Sequence, residues 1–198
     1  MTTLISSPRI ILRDRLPSDA DRYIYWLDHG EWLEYDAPWE DNFGPLTSER
    51  REELRQGFIE SCGGEQPCPR RRAIIADREN CPLGWVNRYR LEDAPGTLYV
   101  GIDICEDDRL NRGLGTEALG LWIDYLFAHT DTQRIGLETW SFNPRMIRVA
   151  EKVGLELERV KRHEIEWQDK AHDLWQFCLR RSEWQGGEKA GSCERASQ

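Results

Sequence analysis

The stretch from Leu98 to Ala118 constrains the fold more than any other, because it reads as strand, polar turn, glycine loop and helix in direct succession. Val100, Ile102 and Ile104 alternate with Gly101, Asp103 and Cys105, a period of two that specifies a strand. Glu106 to Arg112 form a polar turn. Gly113-Leu114-Gly115 then leads into a helix whose Ala118, Leu119, Trp122, Ile123 and Leu126 form one apolar stripe. A glycine-flanked loop at a helix N-terminus offers unpaired backbone N–H groups and the positive end of the helix dipole. It is an anion site suited to phosphate or pyrophosphate.

Two ligands compete for such a loop. Gly113-x-Gly115-x-x-Ala118 satisfies the G-x-G-x-x-G/A dinucleotide pattern, and Glu138 lies about twenty residues further on. In a dinucleotide-binding unit, however, the glycines follow the first strand almost directly. Here the residues from Glu106 to Arg112 intervene, and the motif falls past the middle of the chain. A nicotinamide cofactor is therefore the weaker reading. No G-K-[ST] follows the glycines, which excludes a nucleotide P-loop.

Leu110-Asn111-Arg112-Gly113-Leu114-Gly115 resembles the acyl-CoA pyrophosphate loop of the GNAT N-acetyltransferase superfamily, written R/Q-x-x-G-x-G/A. The continuation through Thr116, Glu117 and Ala118, with Tyr125 and Phe127 later in the helix, is similar to the RimJ/RimL-type branch. Asn143-Pro144-Arg145-Met146-Ile147-Arg148-Val149-Ala150-Glu151-Lys152-Val153-Gly154-Leu155 resembles that branch's N-x-x-S-x-R-x-x-E-K-x-G-F block, and Ser7 to Arg13 its first strand. The resemblance spans residues 7 to 181. It implies an α/β (α+β) fold: a mixed, mostly antiparallel sheet with splayed central strands at 98–105 and 134–141, and flanking helices. It also implies acetyl-CoA as cosubstrate, with backbone from Leu110 to Thr116 on the pyrophosphate and the Asn143 side chain on the pantetheine arm. An N–H near Ile104 and Cys105 would polarise the thioester carbonyl. A homodimer is a further expectation of the resemblance.

The 198 residues suffice for one domain with a full core. We expect that domain over 1–184, followed by a disordered tail at 185–198, rich in Gly, Ser, Glu and Lys. The net charge of −9 argues against unspecific nucleic-acid binding and is compatible with a cationic partner. No apolar run reaches a membrane span and no signal-peptide pattern opens the chain, so a cytoplasmic protein without a membrane partner is expected. Six cysteines without a C-x-x-C, and four histidines without ligand or triad spacing, give no metal site.

The remaining elements follow from pattern. Ile10–Arg13 reads as a strand, and Pro17 opens a helix ending near Gly30. Residues 31 to 46 form a loop in which Trp32, Tyr35, Trp39 and Phe43 mix with Glu31, Glu34, Asp36, Glu40 and Asp41. Such a mixture can hold a cation by charge and π faces. A helix is expected over 48–61, antiparallel strands over 72–77 and 83–91, a strand over 134–141, a helix capped by Asn143 with Pro144 at its first turn, and a closing hairpin over 155–167 and 172–181.

Acetyl transfer to an amine needs a base, because lysine-like amines titrate near ~10.4 and α-amines near ~8. Glu138 and Asp103 are the two carboxylates on the facing strands. Alternation with Ile135, Leu137 and Thr139 turns Glu138 toward the cleft, and it is the first choice, with Asp103 second. Trp32, Tyr35, Trp39 and Trp140 are the candidate acceptor contacts. Two departures from the resembling family stand out: Ala150 occupies the position of a frequent general-acid tyrosine, and Met146 that of the usual serine. The alternative function is a domain of the same fold that binds acyl-CoA without transferring the acyl group.

Overall fold

The computed structural model describes residues 2–39, 45–64 and 66–184. Eight strands, β1 Thr3–Ser6, β2 Ile10–Arg13, β3 Arg72–Asp77, β4 Pro82–Tyr89, β5 Leu98–Ile104, β6 Arg134–Trp140, β7 Glu156–Trp167 and β8 Lys170–Arg180, join in one sheet. Its order is β1-β2-β3-β4-β5-β6-β8-β7. Every pair is antiparallel except β5 with β6. Four helices flank it: α1 Ala20–Trp26, α2 Ser48–Ser61, α3 Leu114–His129 and α4 Pro144–Lys152. This is the mixed, mostly antiparallel sheet with flanking helices that the sequence predicts.

Strand alternation sorts the sheet into two faces. Leu98, Val100, Ile135 and Leu137 pack with Leu119, Trp122, Ile123 and Leu126 of α3 and with Ala150 of α4, all within the main core. The opposite face carries a smaller cluster of Trp26, Trp32 and Cys105, against which Tyr23, Leu33 and Trp85 pack. Under α1, Arg13 is fully buried and meets Asp19 in a bidentate pair, Nη1–Oδ2 at 2.7 Å and Nη2–Oδ1 at 2.9 Å. Asp19 also accepts the Leu16 N–H at 2.8 Å. That turn explains why the helix expected from Pro17 starts late: Pro17–Asp19 is a 3-10 turn, and the α-helix begins at Ala20 and ends at Trp26.

Strand β1 has no counterpart among the sequence expectations. Its four residues are too few to show a period, and its pairing with β2 is a tertiary fact. The closing strands turn through Gln168 and Asp169, both left-handed at φ 51° and 57°, the conformation a two-residue hairpin with right-handed strand twist demands. The proposed tail at 185–198 lies outside the described residues, as do Glu40, Asp41 and Phe43 of the 31–46 loop.

Candidate active site

Strands β5 and β6 touch only at their starts, Leu98 against Ile135 and Tyr99 against Gly136, and then part. Beyond that point β6 pairs on its other side with β8 as far as Trp140, while β5 pairs with β4 as far as Ile104. A wedge opens between them. The Cys105 N–H donates to the Leu83 carbonyl at 2.8 Å. By antiparallel alternation the Ile102 and Ile104 amides then point away from β4, into the wedge. Of the two amides the resemblance puts near the carbonyl, Ile104's faces the gap and Cys105's is taken up within the sheet.

The glycine loop lies at the end of this strand. Asn111 (φ 58°) and Gly113 (φ 77°) are both left-handed and reverse the chain into α3. The helical ladder begins with the Glu117 N–H on the Gly113 carbonyl at 3.1 Å, so the amides of Leu114, Gly115 and Thr116 precede it. Two clamps fix the loop. Arg9 donates to the Arg112 carbonyl at 3.0 Å and to Glu117 at 2.6 Å, and Ser7 holds the other Glu117 oxygen. On the other side Glu106 is engaged by Arg22 and by Trp26 Nε1 at 2.8 Å, and Asp107 by the Glu31 N–H at 2.9 Å. Glu117, Glu106 and Asp107, which would otherwise repel an anion, are thus engaged by their own partners. A Cβ on Gly115 would lie 3.7 Å from Val149 and 3.8 Å from Ile104, so this glycine keeps the space between α3, α4 and the open strand clear. The residues fit a pyrophosphate here and an acyl-pantetheine arm running into the wedge. Asn143 caps α4 through its Oδ1, which accepts the Met146 N–H at 3.0 Å, and its amide NH2 remains for such an arm.

The face opposite α3 forms the other side of the wedge. Asp103 lies there, half-buried, opposite Trp85 in the β4–β5 register. Burial pushes its carboxyl up to about 8, the Asp36 carboxylate adds to the rise, and a Trp85 hydrogen bond opposes it. Gly84 makes this position: any side chain there would collide with the Asp103 carbonyl. Glu138 faces Gln176 directly in the β6–β8 register and accepts its Nε2–H at 2.7 Å. Tyr89 and Tyr99 stack at 5.6 Å beside it. Burial, then the Glu138 charge, pushes both phenols up.

A cavity of about 570 Å³ is walled by Leu33, Tyr35, Pro38, Phe142 and Trp167. Trp39 packs edge-on against Trp140 at 4.7 Å, and Phe142 lies 5.2 Å from Trp167 and 4.8 Å from His172. Of the four candidate acceptor contacts, Trp39 and Trp140 pack against Phe142 of the cavity wall and Tyr35 lines the cavity. Trp32 does neither. It is 6% exposed, donates Nε1–H to the carbonyls of Trp26 (3.1 Å) and His29 (3.2 Å), and packs edge-on to Trp85 at 5.1 Å behind the wall. Glu31 is paired with Arg145, whose guanidinium also lies 5.0 Å from the Tyr35 ring centre. His163 sits exposed in the β7 bulge, its N–H held by Asp173 at 3.0 Å. Phe142, Trp167, Asn87 and Tyr99 were not among the sequence candidates. Period two on β5 does place Tyr99 on Asp103's face, whereas the meeting of Phe142 and Trp167 depends on how a distant hairpin lies across the sheet.

A splayed parallel pair, an amide aimed into the gap and a glycine-loop helix N-terminus at its mouth define an acyl-CoA-dependent acyltransferase fold. A family model described as acetyltransferase (GNAT) domain matches residues 9–156, so the chain belongs to the GNAT acetyltransferase family. The sequence resemblance to that family is borne out at this level. Among solved structures, a GNAT-family acetyltransferase from Bacillus anthracis is 18% identical with TM-score 0.70, covering 90% of this chain and 99% of its own. Spermidine N-acetyltransferase from Vibrio cholerae, in complex with CoA and spermine, is 16% identical with TM-score 0.69, covering 90% and 99%. A GCN5-related N-acetyltransferase from Brucella melitensis is 19% identical with TM-score 0.66, covering 91% and 79%. No curated protein matches the chain. Among the described residues no cluster of His, Cys, Asp and Glu suits a metal ion, and no helix is long and apolar enough to cross a membrane.

Proposed function

We propose that this chain moves the acetyl group of acetyl-CoA to a cationic primary amine by direct attack, with both substrates bound together, and that it is of RimJ/RimL type. The observation that carries this reading is the wedge. The helix N-terminus serves the pyrophosphate and the Ile104 amide the thioester, and Asp103 waits on the opposite face, where an amine can reach the same gap. Acetyl-CoA supplies an activated acyl group when bound. Leu110 to Thr116 and Asn143 hold and orient it, and the Ile104 N–H stabilises charge building on the carbonyl oxygen. That the structural neighbour from Vibrio cholerae is a spermidine N-acetyltransferase supports an amine acceptor.

Asp103 takes the amine proton. A carboxyl raised to about 8 lies close to the amine's own range, so the proton passes with little uphill cost. The neutral amine attacks, the C–N bond forms, the C–S bond breaks and CoA leaves as thiolate, while the second proton shed by the nitrogen as it becomes an amide passes to solvent. With Ala150 fully buried in place of a tyrosine, no acid is provided there. A thiol of ordinary pKa ~8.5 leaves readily without one. Glu138, bonded by Gln176, orders the floor and sets the potential around Tyr89 and Tyr99. The alternative, a domain that binds acyl-CoA without transfer, draws its support from Ala150.

A pH–rate profile tests the assignment. kcat/KM should climb with pH through about 8, and Asp103→Asn should abolish this limb and lower kcat by about 100-fold or more. Glu138→Gln should keep the limb. A profile that loses its limb in Glu138→Gln and keeps it in Asp103→Asn would exchange the two roles.

A further inference from the structure

The strands that part after Tyr99 and Gly136 are joined again at the mouth of the wedge, through Glu31. On the β5 side the chain after α1 is fixed closely. Gly30, at φ 110°, lies against the end of that strand, where a Cβ would stand 3.3 Å from the Cys105 carbonyl oxygen. The Glu31 N–H donates to Asp107 at 2.9 Å, and Trp32 is buried behind it. On the β6 side the Glu31 carboxylate accepts from Arg145, the second residue of α4, and the same guanidinium lies over the Tyr35 ring. Asp107, Glu31 and Arg145 thus bridge the chain that continues β5 to the chain that continues β6. With the Leu98–Ile135 and Tyr99–Gly136 pairs at the base, a closed ring of contacts surrounds the gap. Arg145 stands where a cation is costly, because the first turn of a helix opposes positive charge. That turn of α4 holds no acid of its own, and Glu31 supplies the missing charge from across the gap. Both side chains are partly exposed, and such a pair is worth up to about fivefold in an equilibrium constant. That is too little to decide the fold and enough to hold a gap at one width.

We propose that Glu31 and Arg145 are positioning residues: their ion pair sets the width of the wedge and so holds the acyl arm of the cosubstrate within the ring. The inference rests on the acetyl-transfer reading above, which lays that arm in the wedge. Asn143, assigned to the arm, caps the turn of α4 that carries Arg145, so a change at the clasp reaches the arm through one helix turn. The phosphates are assigned to the loop from Leu110 to Thr116, which the Arg9–Glu117 clamp holds independently. The clasp therefore acts on the arm and spares the phosphates. Trp39, further along the same segment, keeps its own contact with Trp140 of β6, so the segment stays docked when the ion pair is removed.

Calorimetric titration with two ligands tests this without turnover. CoA carries the arm, whereas adenosine 3′-phosphate 5′-diphosphate keeps the phosphates and lacks it. Arg145→Gln and Glu31→Gln should each weaken CoA by about threefold to fivefold and leave the armless nucleotide unchanged. Glu31→Arg alone and Arg145→Glu alone set like charges against each other and should lower the ratio of CoA to nucleotide affinity further. The two reversals together restore an ion pair and should return that ratio to the wild-type value. CoA affinity unmoved by both glutamine replacements, or a double reversal no better than the single ones, would overturn the inference. Equal weakening of both ligands in Arg145→Gln would also overturn it, by making Arg145 a contact of the phosphates. Each of these results, with CoA still bound by the wild type, would leave the acetyltransferase reading standing. A wild-type protein that binds neither ligand would overturn both.

Discussion

Gly136 and Tyr99 face each other at the last paired position of the parallel strands, and a Cβ on Gly136 would lie 2.7 Å from the Tyr99 ring and 2.8 Å from Thr97. The missing side chain lets Tyr99 lie across β6 at the point where the wedge begins. Gly136→Val should therefore force the ring aside and destabilise the fold by about 1–3 kcal/mol, read as a lowered denaturant midpoint. It should also weaken acceptor binding more than CoA binding, because Tyr99 lies on the acceptor face. Unchanged stability would mean that the two strands part for another reason.

A second prediction concerns the phosphate loop. Gly113 is left-handed at φ 77°, so Gly113→Ala should cost about 1–2 kcal/mol and shift the loop amides. CoA affinity should fall by about tenfold or more, with NAD giving no thermal shift in either protein. Stabilisation by NAD and none by CoA would restore the dinucleotide reading of the glycines.

Much of this loop was legible in the sequence, and the reasons are local. The period of two in β5, the apolar stripe of α3, the left-handed demand at Gly113 and the Asn143-Pro144 cap are all set by neighbours within a few residues. What was not legible is set by register. Nothing near Trp32 in sequence says that its ring turns inward to Trp85 while Trp39, seven positions on, turns to Trp140. Nor does anything near Asn87 reveal that it crosses Gly101, or near Glu138 that Gln176 stands opposite. The four residues of β1 carry too little pattern to announce a strand at all. Aromatic and acidic composition singles out the 31–46 loop, but the contacts across the sheet decide which of its rings meet which partners.

The buried pair under α1 gives a stability prediction independent of function. Arg13 and Asp19 are 0% and 3% exposed and hydrogen-bond to each other twice. Arg13→Met leaves a buried carboxylate without its partner and should cost about 3–5 kcal/mol. The double replacement Arg13→Met with Asp19→Leu should recover much of that. If the single variant lost less than the double, the pair would be contributing nothing specific.

Asp103 adds a pH dependence to stability. Its folded pKa is raised to about 8, above an ordinary unfolded value near ~3.9. The folded state therefore holds a proton that the unfolded chain releases. The associated stability is present in full below the unfolded pKa and is lost as pH rises toward and through 8. Asp103→Asn removes this loss, so it should gain on the wild type in urea denaturation between pH 5 and pH 8.5. A constant difference across that range would show that the carboxyl is not raised.

The most direct test of the account is amine-dependent thiol release. The wild-type protein, given acetyl-CoA and a primary amine, should free CoA thiol at a rate that rises with amine concentration and saturates. Mass spectrometry should find one acetyl group on each amine consumed, and Asp103→Asn should release little thiol while binding CoA normally. Tight CoA binding with no amine-dependent release, across aromatic, alkyl and polyamine acceptors, would contradict the account and leave an acyl-CoA-binding domain in its place.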